Sequence, residues 1–190
     1  IGALIGDIVE TVFTLVTKHT LMSRSSLLYG PFSIVWGLGG AVLTIVLYGW
    51  RDKSDRYIFF GGLLIGGVYE YACSVFTEYC FGMVFWDYSQ IAFNINGRIN
   101  LLYCAFWGVL ALLWVKEIYP RLSMLIEKIP LHVGKIITWS LSVLLIVDVL
   151  LSAAALYRMD TRSKGVEAGN VIEVLLDQTY PDEYLVDRYQ

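Results

Sequence analysis

The chain has 190 residues, 57% of them hydrophobic and 16% charged, with a mean hydropathy of +0.61 and a net charge of −3. Soluble domains carry nearer about 25% charged residues, and no Lys/Arg run or basic patch is present to hold nucleic acid. The apolar residues come in blocks too long for a soluble core, so a water-soluble bundle of buried helices is the weaker reading.

Five blocks follow one another, each close to the roughly 20 residues that a helix needs to cross a bilayer core. The first, Ile1 to Thr17, holds two acids, Asp7 and Glu10. Asp7, Thr11, Thr14 and Lys18 follow steps of four, three and four, which makes one helical stripe, with Glu10 on a neighbouring line. Acids within a span are costly, so this face should meet protein or water. The chain begins with Ile1, and residues upstream are expected to complete this span; no basic region followed by a small-residue cleavage site marks a signal peptide.

The second block, Pro31 to Trp50, has no charge. Gly30-Pro31 marks a turn into it, with Pro31 suited to the first helical turn. Gly37 and Ala41 show the small-xxx-small spacing that lets helix backbones approach. The third block, Ile58 to Thr77, repeats that spacing at Gly62 and Gly66, and the line continues through Glu70, Ser74 and Glu78. The fourth, Ile99 to Val115, is uncharged. Between Pro120 and Pro130, Leu122, Leu125, Ile126 and Ile129 predict a short helix lying in the membrane interface. The fifth, Ile136 to Tyr157, carries Asp148 with Ser152 four residues on. After it, residues 161–190 form a polar tail in which Val171, Ile172, Val174, Leu175 and Leu176 mark one amphipathic helix. The fold class is therefore an all-α integral membrane protein of about five transmembrane helices, with a short interfacial helix and a polar C-terminal tail. Residues 1–160 make the membrane domain and 161–190 the tail.

Loop charge gives no orientation. Arg51, Lys53, Arg56, Lys116, Arg121, Lys128 and Lys135 fall on one side, against Lys18, Arg24, Arg98, Arg158, Arg162 and Lys164 on the other. Cys73, Cys80 and Cys104 read as small buried thiols. With His19 and His132 they give no zinc spacing, so no metal and no cofactor is expected. The chain contains no G-x-x-x-x-G-K-[ST], G-x-S-x-G or H-E-x-x-H motif, so it does not itself hydrolyse ATP by the P-loop route and shows no nucleophile elbow.

Between the third and fourth blocks lies W-D-Y-S-Q-I-A-F-N-I-N-G-R, Trp86 to Arg98. Aromatics at a membrane end form an interfacial belt, which accounts for Trp86 but not for Asp87, Asn94, Asn96 and Arg98 together. Asn96-Gly97 is a turn signal that places Arg98 at the start of the fourth span. A cation there opposes the helix dipole, so Arg98 should find an acidic partner or an anionic ligand. Asp87 is the local candidate; Glu10, Glu70 and Asp148 are candidates if the spans so pack. The expectation is an Arg98-centred polar cluster drawing on Glu10, Glu70, Trp86, Asp87, Tyr88, Asn94, Asn96 and Asp148.

These residues also carry a resemblance. Gly30, Pro31 and Phe32 lead into a helix, Glu70 and Glu78 lie on the next, and Trp86, Asp87, Tyr88, Ser89, Phe93, Asn94, Asn96, Gly97, Arg98, Trp107 and Gly108 follow. In this pattern the chain resembles the ABC transporter permease family of CmpB type over about residues 1–120. Asp7 departs from it, standing where the pattern has an aromatic. The resemblance implies a polytopic protein of the bacterial cell membrane that works as a permease-like subunit or small transporter with a separate ATPase, and no reaction follows from it. The partners it implies are the lipid bilayer and an ATPase subunit or other membrane protein. The competing readings are an accessory membrane protein that holds a lipid headgroup or a larger complex, and a lipid-acting enzyme built on carboxylates.

Overall fold

The computed structural model describes residues 1–19 and 25–189, with the side chains of Thr17 and Lys18 excepted. Lys18, expected on the Asp7 stripe, and Arg24, counted in the loop charge, therefore lie outside the described side chains. The fold is all-α. In chain order come α1 (Gly2–Lys18), α2 (Ile34–Leu47) with a 3-10 turn over Tyr48–Trp50, α3 (Asp55–Phe81), α4 (Leu101–Leu113), α5 (Tyr119–Glu127), α6 (Leu131–Ser163), α7 (Val171–Thr179) and α8 (Asp182–Tyr189). Two short strands, β1 (Asn94–Ile95) and β2 (Ile99–Asn100), pair antiparallel with Asn94 opposite Asn100.

Among the described residues three stretches are long and apolar enough to cross a membrane: Asp55–Phe81, Leu101–Glu127 and Leu131–Ser163. They correspond to the third, fourth and fifth expected spans. Ile34–Trp50 is apolar but shorter, and α1 has 17 residues. α2 is short because Pro31 stays in the preceding turn instead of opening the helix. The Ser26 hydroxyl accepts from the Ile34 N–H at 2.6 Å and so starts the helix there. Side chains along α6 stand open on several sides, with Trp139 71%, Leu144 65% and Leu150 65% exposed. A continuous surface of this kind suits lipid and not water.

The helix expected to lie separately between Pro120 and Pro130 is instead joined to α4. A π-helical segment, Trp114–Ile118, links α4 to α5 without a break. The Tyr119 N–H reaches back five residues to the Trp114 carbonyl. Pro120 has no N–H to give the Lys116 carbonyl, and the wider turn just before it lets the helix run on.

The chain forms two compact units, Ile1–Gly37 with Cys80–Gly82 and Thr138–Gln190, and Leu38–Tyr79 with Met83–Ile137. The second unit has a core of Leu43, Leu47, Ile58, Ala111 and Val115, against which Trp107 and Trp114 pack. Glycines bring α3 and α4 together there: a Cβ on Gly108 would meet the Phe59 carbonyl oxygen at 2.8 Å, and one on Gly62 the Trp107 carbonyl oxygen at 3.0 Å. The close packing expected from Gly62 and Gly66 is thus the geometry found. The first unit has a core of Leu28, Ala155, Tyr180 and Leu185. In it the polar tail folds back as α7 and α8. Arg158 bonds Asp177 at 3.0 and 2.6 Å, and Arg162 bonds Asp177 and Asp182. Cys73, Cys80 and Cys104 are free thiols.

Candidate functional site

The site in the second unit is built on one line of α3. Glu70, Ser74 and Glu78 recur at four-residue steps, so each lies one turn beyond the last. The segment from Trp86 to Asn100 is irregular up to Phe93 and closes as a short hairpin over Asn94–Asn100. Its turn uses left-handed backbone at Asn96 (φ 54°) and Gly97 (φ 68°), with Phe93 (φ 59°) just before it. Gly97 has a second reason to be glycine: a Cβ there would sit 2.6 Å from Asp87 Oδ1.

Most polar residues of this segment have a defined hydrogen-bond partner. Asp87 closes its own turn, accepting from the Ser89 N–H at 2.8 Å and the Ser89 hydroxyl at 3.0 Å. Asn94 Nδ2 donates to the Ile91 carbonyl at 2.7 Å, and its Oδ1 accepts from the Gly97 N–H at 3.0 Å. Trp86 Nε1 donates to the Arg98 carbonyl at 2.9 Å. Asn96 Nδ2 donates to the Tyr71 hydroxyl at 2.9 Å. Asn100 caps α4, its Oδ1 accepting from the Tyr103 N–H at 3.0 Å.

Two side chains join the hairpin to the α3 line. The Tyr88 hydroxyl donates to Glu70 Oε1 at 2.8 Å, while Trp107 Nε1 donates to Glu70 Oε2 at 3.1 Å. The Tyr88 ring stacks on Tyr103, with centroids 4.6 Å apart. Arg98 Nη1 donates to Ser74 Oγ at 2.9 Å and Nη2 to Glu78 Oε2, and the guanidinium lies 5.8 Å from the Tyr71 ring centroid.

The expected acid partner of Arg98 is therefore corrected. It is Glu78, not Asp87, Glu70, Glu10 or Asp148. Asp87 is spent on its own turn, and Glu70 on Tyr88 and Trp107. The placement of Arg98 is corrected as well: α4 begins at Leu101, so Arg98 sits in the hairpin turn and not in the helix's first turn. Its guanidinium is held above its ordinary range, chiefly by the hydrogen bond to Glu78.

Glu10 and Asp148 belong to the first unit. Trp36 Nε1 donates to Glu10 Oε2 at 2.9 Å. Asp148 Oδ1 accepts from the Tyr29 N–H at 3.2 Å and from the Ser152 hydroxyl at 3.3 Å; Ser152 Oγ in turn accepts from the Leu28 N–H at 2.9 Å. These bonds hold the turn before Gly-Pro-Phe, where Gly30 has φ +71°. Ser25 ties the same turn from within, accepting from the Phe32 N–H at 3.3 Å and donating to the Phe32 carbonyl at 2.9 Å. Asp7 and Thr14 of the α1 stripe are buried. Among the described residues no three or more His, Cys, Asp or Glu are placed to hold a metal ion.

The family description "Putative ABC-transporter type IV" matches residues 1–153. The chain belongs to this CmpB-type family. The match takes in the α3 line, the hairpin, the Gly-Pro-Phe turn and Asp148, and it ends before the Arg158 network. No curated protein and no solved structure matches the chain.

Reading the sequence missed Ser74 and Glu78 as partners of Arg98, Trp107 as a partner of Glu70 and Trp36 as a partner of Glu10. The four-residue line from Glu70 to Glu78 was the signal that could have found the first two.

Proposed function

We propose that the chain is a permease-like membrane subunit that moves a solute with the help of a separate ATPase. One observation carries this reading. Glu70 is buried midway along a helix long enough to cross a bilayer, and the groups bound to it, Tyr88 and Trp107, are neutral donors. A carboxylate inside a span is costly and is kept where it serves an ion or substrate path. Neutral donors fix its direction without cancelling its charge, so it can answer to a proton or a cationic group that passes. The family name supports the link to transport.

In this reading the protein is a multi-pass protein of the bacterial cell membrane. α1 and α2 complete five membrane helices, residues 1–160 form the membrane domain, and residues 161–190 form a tail at its surface. Trp86, Asp87, Tyr88, Asn94, Asn96 and Arg98 shape the polar end next to Glu70, while Glu10 and Asp148 are acids of the same membrane domain. The test is purification from the native host in mild detergent, then reconstitution into liposomes. An ATPase that co-purifies, and ATP-dependent solute flux lost in Glu70→Gln, are expected. Liposomes that move nothing, from a preparation with which no ATPase associates, would overturn the reading.

A further inference from the structure

At the turn between α2 and α3, Trp50, Arg56, Tyr57, Phe60, Gly61 and Leu64 line an apolar groove of about 440 Å³. Arg56, Phe60 and Leu64 recur at four-residue steps and form one stripe of α3. Gly61 is the floor: a Cβ there would meet Leu47 Cδ2 at 2.9 Å and the Trp50 ring at 3.1 Å, so Trp50 packs on the α3 backbone as one wall. Phe60 and Leu64 are 63% and 66% exposed. From Arg56 to Leu64 the stripe runs about 12 Å, the length of a good part of an acyl chain.

Charge decides the occupant. The turn carries Arg51, Asp52, Lys53, Asp55 and Arg56. Asp55 pairs with Lys116, and the exposed Asp52 lies 3.7 Å from Arg51. Lys53 stands 5.7 Å from the ring centroids of Trp50 and Tyr57. Among the described residues neither Lys53 nor Arg56 has a carboxylate partner. Two uncompensated cations thus head an apolar stripe flanked by Trp and Tyr, the residues that settle at the headgroup level. A free anion would have no use for the groove, and a neutral lipid none for the cations. We propose that this groove holds one anionic phospholipid, with its phosphate on Arg56 and Lys53 and an acyl chain along Phe60, Gly61 and Leu64. The proposal is independent of the transport reading.

The experiment offers the full chain in detergent equal amounts of dioleoyl-phosphatidylglycerol and dioleoyl-phosphatidylcholine, and reads the retained lipid by native mass spectrometry. The glycerol lipid should be preferred about tenfold or more, since each surface cation favours an anionic headgroup. Arg56→Gln with Lys53→Gln should bring the preference close to parity. Arg121→Gln, a charge change at another exposed site, should leave it intact. Leu64→Glu should lower retention with the helical circular dichroism unchanged. Raising the ionic strength on the unaltered protein should weaken the preference, which tests the charge argument without any substitution. Equal retention of both lipids would overturn the proposal. So would an equal loss in Arg121→Gln, or release of the lipid by water-soluble glycerol phosphate, which would mark a free-phosphate site.

Discussion

Arg98 joins the hairpin to two successive turns of α3, reaching Ser74 with one guanidinium nitrogen and Glu78 with the other. The same residue's N–H donates to the Ile95 carbonyl at 3.0 Å inside the turn. Arg98→Ala should therefore free the hairpin from α3, and hydrogen exchange at the Arg98 and Leu101 amides should quicken. Glu78→Gln should do the same to a smaller extent. The double variant should be no worse than Arg98→Ala, as expected for one coupled pair; effects that simply add would show that the two residues act separately.

Glu70 is the acceptor for two donors, and its variants should separate packing from charge. Glu70→Ala removes the carboxylate acceptor of the half-buried Tyr88 hydroxyl and Trp107 N–H and should cost up to about 1–3 kcal/mol. Glu70→Gln keeps one acceptor oxygen and should cost about half as much. Thermal unfolding in detergent measures both. Equal losses in the two variants would mean that the ionised carboxylate, and not its acceptor pair, holds the site together.

Ser152 and Asp148 share the Leu28–Tyr29 turn but not the same dependence on charge. Ser152→Ala leaves the buried Leu28 N–H unsatisfied and should destabilise by about 1–3 kcal/mol. Asp148→Asn retains an oxygen for the Tyr29 N–H and should be close to neutral in stability. A large loss of stability in Asp148→Asn would place the charge itself in the fold.

The α3–α4 contact leaves no room for side chains at its glycines. Gly62→Ala should lower stability by about 1–3 kcal/mol through overpacking against Ala111 and the Trp107 backbone. Gly49 has nothing within 4 Å of a built Cβ, so Gly49→Ala is the control and should leave the unfolding temperature nearly unchanged.

The tail should come loose in acid. The hydrogen bond from Arg158 holds the Asp177 carboxyl below its ordinary range. A folded-state value below the unfolded one, which is about 3.9 for Asp, gives stability that is fully present above that value. It is lost as pH falls through the folded value. Protease cutting in the linker around Gly165 should therefore stay slow at neutral pH and quicken below about pH 4. In Asp177→Asn, cutting should be faster at neutral pH and lose most of that acid dependence.

What the sequence revealed followed from short-range physics. The apolar runs announced the long helices, Asn96-Gly97 announced a turn, and the Gly62–Gly66 spacing announced a close helix contact. The partner of Arg98 was obscured because chain proximity favoured Asp87, only eleven positions away, whereas the hairpin folds back on α3 and meets Glu78. That fold-back depends on Tyr88 and Arg98 docking together, which no local pattern encodes. Pro120 read as a break because a proline usually ends a helix; the π turn before it removed the clash. The pairing of Arg158 and Arg162 with Asp177 and Asp182 spans a linker, and linear spacing gives no hint of it.

The length of α6 carries one more consequence. Its 33 residues extend about 50 Å, against roughly 30 Å of hydrocarbon. With Ile136–Tyr157 immersed, the last turns bearing Arg158 and Arg162 would lie at the edge of the hydrocarbon, and Asp148 would lie about 15 Å deeper along the same rod. One helix would then tie a carboxylate within the span to the buried, ion-paired Arg158 at its end. A tilt or a vertical shift of α6 would change the solvation of both ends together.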